Sequence, residues 1–175
     1  MKTKICVCSL IFAVFLSCKE PVVTFAESQP SEKKSLAKIP SRLYGKYFSV
    51  NDSATLVVDQ NLIRKIYRDS LGGEGYADTI LNLTNNDQIK KYKGYYFLNS
   101  FRDENDWEVQ KLKFKKGILS ISQISSEEEI AMLEEITETL RDSIQPYNIN
   151  PNKKQFREFL KREGFTDEDI YILIK

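Results

Sequence analysis

The chain has 175 residues, with 26 Lys and Arg against 25 Asp and Glu, no histidine and three cysteines. Near-neutral charge leaves no electrostatic footprint for nucleic acid, and the lack of histidine excludes imidazole bases, the usual serine triads and ordinary zinc sites. All three cysteines, Cys6, Cys8 and Cys18, lie in the first eighteen residues, so a chain cut before Cys18 has no thiol in its body and must be held by its core.

Lys2 and Lys4 form a short positive region, Ile5 to Leu16 a nearly unbroken apolar run, and Ser17 puts a small residue before Cys18. That is signal-peptide anatomy, covering residues 1–17. The run is shorter than the roughly 20 residues that span a bilayer, and Lys19 and Glu20 follow at once. Phe15-Leu16-Ser17-Cys18 resembles the lipobox of bacterial lipoproteins, with Phe15 where an aliphatic residue is usual. The resemblance implies a diacylglyceryl group on Cys18, with palmitate-like chains that contribute about 0.8 kcal/mol per buried methylene and anchor the protein in a lipid bilayer. The alternative is an ordinary secretory peptide in which Cys18 is incidental. Cleavage leaves 158 residues, enough for one domain with a full core, and a net charge of minus one.

Residues 18–39 read as the lipidated cysteine and a flexible tether, because Pro21, Pro30, several serines and Glu27, Glu32, Lys33 and Lys34 leave little apolar surface to bury. Extended, such a leash reaches at most about 70 Å. Lys19-Glu20 resembles the export signal of surface lipoproteins in Bacteroidota, although Pro21 interrupts the acidic run. The expected location is the cell envelope, lipid-anchored to the outer membrane, on either its periplasmic or its outer face.

Residues 40–175 read as a single α+β domain that opens with an antiparallel β-meander of up to eight strands. Leu43 to Val50 alternates and breaks at Asn51-Asp52; Ala54 to Val58 and Leu62 to Tyr67 flank Asp59-Gln60-Asn61. Gly72 to Gly75 leads into Tyr76 to Leu83, and Asn85-Asn86-Asp87 into Ile89 to Tyr92. Tyr95 to Phe101 follows Lys93-Gly94, and Trp107 to Phe114 and Ile118 to Ile124 flank Lys115-Lys116-Gly117. Regular spacing suggests a partial or closed barrel, which removes sheet edges. Lys111-Leu112-Lys113-Phe114 alternates charge with apolar residues, so one face is wet, unlike a parallel α/β sheet.

Two C-terminal helices and a short terminal strand complete the domain. Ser126-Glu127-Glu128-Glu129 matches a capping box, and Ile130, Leu133, Thr137, Leu140 and Ile144 fall at helical spacing behind it. Asn150-Pro151 reads as the start of the second helix, with Phe156, Phe159 and Leu160 on its buried face and Gly164 as a left-handed end. Ile170 to Ile174 supplies the last strand or a docked turn.

Motifs of chemistry are few. The acidic runs Glu127 to Glu129, Asp103 to Asp106 and Asp167 to Asp169 read as solvated helix starts and loops; the second lacks the glycine and glutamate of a calcium loop. No metal site, cofactor or catalytic residue is expected, although carboxylate chemistry stays open. Tyr92, Tyr95, Tyr96 and Trp107 form a candidate binding face, with sheet core plus a cross-strand aromatic pair as the ordinary reading. Asp52-Ser53-Ala54, Asp69-Ser70-Leu71, Asp78-Thr79-Ile80 and Asp142-Ser143-Ile144 resemble the acceptor tripeptide for O-glycosylation of exported proteins in Bacteroidota. That marks Ser53, Ser70, Thr79 and Ser143 as candidates, with turn and cap chemistry as the alternative.

Together the signal, lipobox and tripeptides resemble the small lipoproteins of Bacteroidota, a resemblance that is loose over the body. The expected function is a non-enzymatic binding or interaction module on a membrane anchor, recognising a protein or a glycan. The alternatives are a lipocalin-like carrier of a small apolar ligand and an envelope immunity or inhibitor protein. A barrel with an open apolar cavity favours the carrier; a filled core with an exposed aromatic patch favours the interaction module.

Overall fold

The computed structural model describes residues 20–69, 73–141 and 144–174. Residues 1–17, the expected signal peptide, and Cys18, Ser70 and Ser143 lie outside the described residues.

Eleven strands and two helices make up the described chain: β1 Val23–Phe25, β2 Gly45–Ser49, β3 Thr55–Val58, β4 Leu62–Arg68, β5 Glu74–Asn82, β6 Gln88–Tyr92, β7 Tyr95–Asp103, β8 Asp106–Lys115, β9 Ile118–Gln123, α1 Glu127–Thr137, β10 Tyr147–Ile149, α2 Lys153–Lys161 and β11 Asp167–Leu173. Strands β2 to β9 are the eight-strand meander of the sequence, each within about two residues of its expected place. The β2 to β5 ladder is antiparallel, as are β6 to β9, and β11 inserts between β9 and β2 to join the two runs. No ladder joins β5 to β6 or β7, so the sheet curls without closing into a barrel.

Side chains bridge that opening. Ser100 Oγ donates to the Ile80 carbonyl at 2.8 Å, and the Asp87 carboxylate accepts from the Asn82 and Phe101 amides at 2.6 and 2.8 Å.

The N-terminal segment differs from the expected tether. Val23–Phe25 pairs in parallel with β10 and touches β8 at Trp107, with Phe25 fully buried. Further on, the Leu36 amide donates to the Ile89 carbonyl at 2.8 Å and Ser35 bridges Lys90, so the segment runs along the free edge of β6. Asn99 holds it from the sheet: its Oδ1 accepts from the Gln29 amide at 2.5 Å and its Nδ2 donates to the Gln29 carbonyl at 3.0 Å. Lys90 Nζ donates to the Ser28 and Pro30 carbonyls at 2.7 and 3.2 Å. The reason is an unpaired edge: backbone groups of β6 need partners, and a polar segment supplies them as well as an apolar one.

Two packed clusters result. The inner face of the curled sheet gathers Tyr47, Leu56, Ile63, Leu81, Leu98, Leu112, Ile121 and Tyr171, with Ile39 and Leu43 of the incoming segment filling its end. Both helices, β1 and β10 cover the outer face of β7 and β8, where Phe25, Phe97, Phe156, Phe159 and Phe165 meet edge to face.

The capping box at Ser126 forms, and Glu129 also accepts from the Thr166 amide at 2.8 Å, tying α1 to the approach of β11. The helix stops at Thr137, short of the expected stripe. Glu138 turns left-handed, the Arg141 amide donates back to Glu134 at 2.8 Å, and Leu140 and Ile144 stay exposed. Helix α2 begins two residues later than expected, because β10 keeps Ile149 in a strand and Asn152 with Gln155 forms the capping box. Gly164 is not the left-handed residue; Glu163 and Phe165 are, at φ 64 and 69. Glycine is needed there because any Cβ would overlap the Phe159 ring.

Candidate binding site at the polar end of the sheet

Residues directly opposite on neighbouring strands share a face, so the ladder registers show which side chains point inward. Leu56 faces Lys65, which faces Asp78; Leu98 faces Gln110; Ser100 faces Glu108; Ile121 faces Asp169; Tyr171 faces Ser49. The inner face is therefore apolar at one end and polar at the other.

Lys65 is the centre of the polar end. Its ammonium lies 2.6 Å from Asp52 Oδ2 in the β2–β3 turn and 3.4 Å from Asp169 Oδ2 on β11. It also sits 5.6 Å from the centroids of both the Tyr67 and Tyr171 rings. Asn51 Nδ2 donates to Asp169 Oδ1 at 2.8 Å, and the Tyr171 hydroxyl donates to Asp169 Oδ2 at 3.3 Å. Burial alone would pull the Lys65 ammonium down, but the bond to Asp52 and the surrounding acidic groups outweigh it and hold it above the ordinary lysine range. Burial likewise pushes the Asp52 carboxyl up, and bonds from Lys65 and the Ala54 amide bring it below its ordinary value. A lysine so held stays protonated and places a fixed positive charge at this end of the sheet.

Across the opening, burial raises the Glu108 carboxyl, with Arg102 and the 3.0 Å bond from Gln110 Nε2 offsetting part of the effect. Tyr67 and Tyr76 stack with ring centroids 6.1 Å apart at the rim, and Tyr76 is 61% exposed. The end thus offers an aromatic plane, carboxylates, amides and a fixed cation. Among the described residues no group of three or more acidic side chains could hold a metal ion.

The expected aromatic face is not formed as one surface. Tyr96 is buried in the inner cluster, where Arg42 Nε donates to its hydroxyl at 3.0 Å. Tyr92, Tyr95 and Trp107 pack against the outer cluster, and Trp107 meets Phe101 across the β7–β8 ladder at 5.1 Å. Alternation along β7 puts Tyr96 on the inner face, while Tyr92 and Tyr95 share the outer face with Trp107 but stand six residues along β7 from Phe101, its partner. Ser53 is exposed in the β2–β3 turn at φ 60, and Thr79 is exposed, opposite Arg64 on β4. Sequence reasoning missed Lys65, Asp169 and Glu108, although Lys65 and Asp169 stand two residues from inward Ile63 and Tyr171, and Glu108 four from inward Leu112, charges in the register of the core.

No helix of the described residues is long and apolar enough to cross a membrane. No family model matches the chain, and no curated protein or solved structure matches it significantly.

Proposed function

We propose that the chain is a lipid-anchored protein of the bacterial cell envelope that binds its partner without transforming it, and that the polar end of the curled sheet is its recognition site for a hydroxyl-rich ligand such as a glycan. The observation that carries the reading is the division of the inner face. Ile39, Leu43 and Tyr47 fill the apolar end, which leaves little for an apolar cargo, while Tyr76, Asp78, Glu108 and Asn51 stand at the other. Aromatic faces stack on sugar rings, and carboxylates and amides accept and donate to their hydroxyls. Anchoring rests on the lipobox-like Phe15 to Cys18.

Two experiments test it. Glycan-array binding of the whole chain, followed by calorimetry, should find a ligand whose affinity falls at least about tenfold in Tyr76→Ala and in Glu108→Gln. Binding to no glycan, or binding indifferent to both substitutions, overturns the recognition site. Intact mass of membrane-extracted protein beside Cys18→Ala should show loss of residues 1–17 and an acyl mass that the substitution abolishes; an unmodified chain overturns the anchor.

A further inference from the structure

Strands β7 and β8 carry opposite charge at their two ends. The turn that joins them holds Asp103, Glu104 and Asp106, and Arg102 beside it pairs with Asp106 and, at 3.2 Å, with Glu20. The other end is basic. Lys91 and Lys93 stand at the tip of the β6–β7 hairpin, and Lys113, Lys115 and Lys116 at that of β8–β9. All five are exposed, and none pairs with a carboxylate among the described residues. Strand β7 pairs with both β6 and β8, so the two tips lie about 10 Å apart.

Two tyrosines stand among these lysines. Tyr92 and Tyr95 are the last ladder pair of the β6–β7 hairpin, on its outer face. Lys33 of the docked N-terminal segment and Lys93 hold their ammonium groups 5.4 and 5.7 Å from the centre of the Tyr92 ring. Lys111 lies 5.7 Å from that of Tyr95, and Lys113 is the next outer position of β8 toward the tip. The β6–β7 tip is open: a Cβ on Gly94 would meet no atom within 4 Å. Carboxylates on this face begin further in, where Glu168 shares the Lys111–Ser122 row and Glu163 acts on Lys111. Glu32, beside Lys33, acts on the buried Lys90.

We infer that this lysine-rich end is a binding surface for a carboxylate-bearing polysaccharide. Lysine is a point charge on a flexible stem, suited to anions that recur along a chain more than to one anion of fixed shape. Ammonium groups on two neighbouring tips engage successive carboxylates, and the tyrosine rings beside them offer flat apolar area to the sugar rings. The chain leaves the body at the opposite end. Glu20, two residues after Cys18, is held at Arg102, about 24 Å along β7 from Tyr95. With Cys18 lipidated, as proposed above, the basic end is the part of the body remote from the bilayer, where it meets a polymer in the aqueous phase. The binding surface itself does not rest on that reading.

The test uses the whole chain with Cys18→Ala, so that acylation plays no part, and four probes: oligogalacturonate, neutral dextran of equal length, polyglutamate of equal charge and phosphatidylglycerol vesicles. Oligogalacturonate should bind, dextran at least about tenfold more weakly, and the affinity for oligogalacturonate should fall at least about tenfold between about 50 and about 200 mM salt. Lys93→Glu with Lys116→Glu should weaken it at least about tenfold with unchanged circular dichroism. Lys153→Glu with Lys154→Glu, the same change of charge on the first turn of α2, should leave it within about twofold. No binding of oligogalacturonate at about 50 mM salt overturns the inference, as does an equal loss in the two charge-matched variants. Tighter binding of polyglutamate or of the vesicles overturns it in favour of an acidic protein or a membrane. Binding lost in Glu108→Gln but kept in the lysine variant moves the polymer to the polar end, which overturns this surface and leaves the recognition site proposed above standing.

Discussion

The Lys65 ammonium lies 2.6 Å from Asp52 Oδ2, joining the middle of β4 to the turn after β2 at the polar end of the sheet. Lys65 is nearly buried, whereas the Asp52 and Asp169 side chains are 34% and 43% exposed. Removing the cation leaves two carboxylates facing each other, which in a fully buried pair costs about 3 to 5 kcal/mol. Solvent at the two acids reduces that, so Lys65→Met should cost about 2 kcal/mol by urea denaturation at pH 7.

The pH dependence of that cost follows from the two shifts. Asp52 is held below its ordinary value, so its contribution is present above the unfolded carboxylate pKa of about 3.9 and is lost as pH falls through the lower, folded value. Lys65 is held above its ordinary value, so its contribution is present below about 10.4 and is lost only as pH rises through the higher, folded value. The difference between wild type and Lys65→Met should be constant from about pH 5 to 9 and shrink below about pH 4. A difference that instead disappears toward pH 9 would place the stabilisation elsewhere.

Asn99 decides whether the N-terminal segment stays docked. Asn99→Leu leaves the buried Gln29 amide and carbonyl without their partner and should cost about 2 to 3 kcal/mol. Trypsin should then cut at Lys33, Lys34 and Lys38 faster than in wild type while the rest of the sheet resists. Equal cleavage rates in the two proteins would mean that the segment is loose to begin with.

Gly164→Ala should destabilise by about 1 to 3 kcal/mol, because the added methyl meets a Phe159 ring that is itself fully buried. Phe159→Leu in the same chain should recover part of the loss, which a double-mutant cycle reads as a favourable coupling. Independent, additive losses would argue for backbone strain as the cause.

Ser53, left-handed at φ 60 and exposed, tests the modification reading without disturbing the fold. Ser53→Gly should leave the thermal midpoint unchanged or raise it by a few degrees, since glycine adopts this conformation freely. If the hydroxyl is the glycan acceptor, intact mass of the envelope protein should fall by one glycan unit as well. A glycan mass retained in full would exclude Ser53 and turn attention to Thr79.

The meander was legible because its strands alternate and its turns carry Asn, Asp and Gly at the breaks. The capping box at Ser126 was equally plain. The parts that escaped are those in which a local pattern was overruled by a distant partner. Val23–Phe25 has too little apolar surface to be recognised alone, and becomes a strand because β8 and β10 offer it backbone groups. Leu140 and Ile144 continue the helical spacing of α1, yet Glu138 and the return of Arg141 end the helix first. Nothing in the sequence marks Lys65 as inward-facing; its place in the strand register does, but only once Asp52 and Asp169 are known to meet it.

Because Val23 already belongs to the sheet, only four residues separate it from Cys18, five steps of chain that span at most about 18 Å. A lipid on Cys18 would therefore moor the body against the headgroups like a boat on a short line, with almost no freedom to swing outward. Anything a protein so moored meets would have to come to the membrane plane to be met, and its own search for partners would become one of lateral drift in two dimensions.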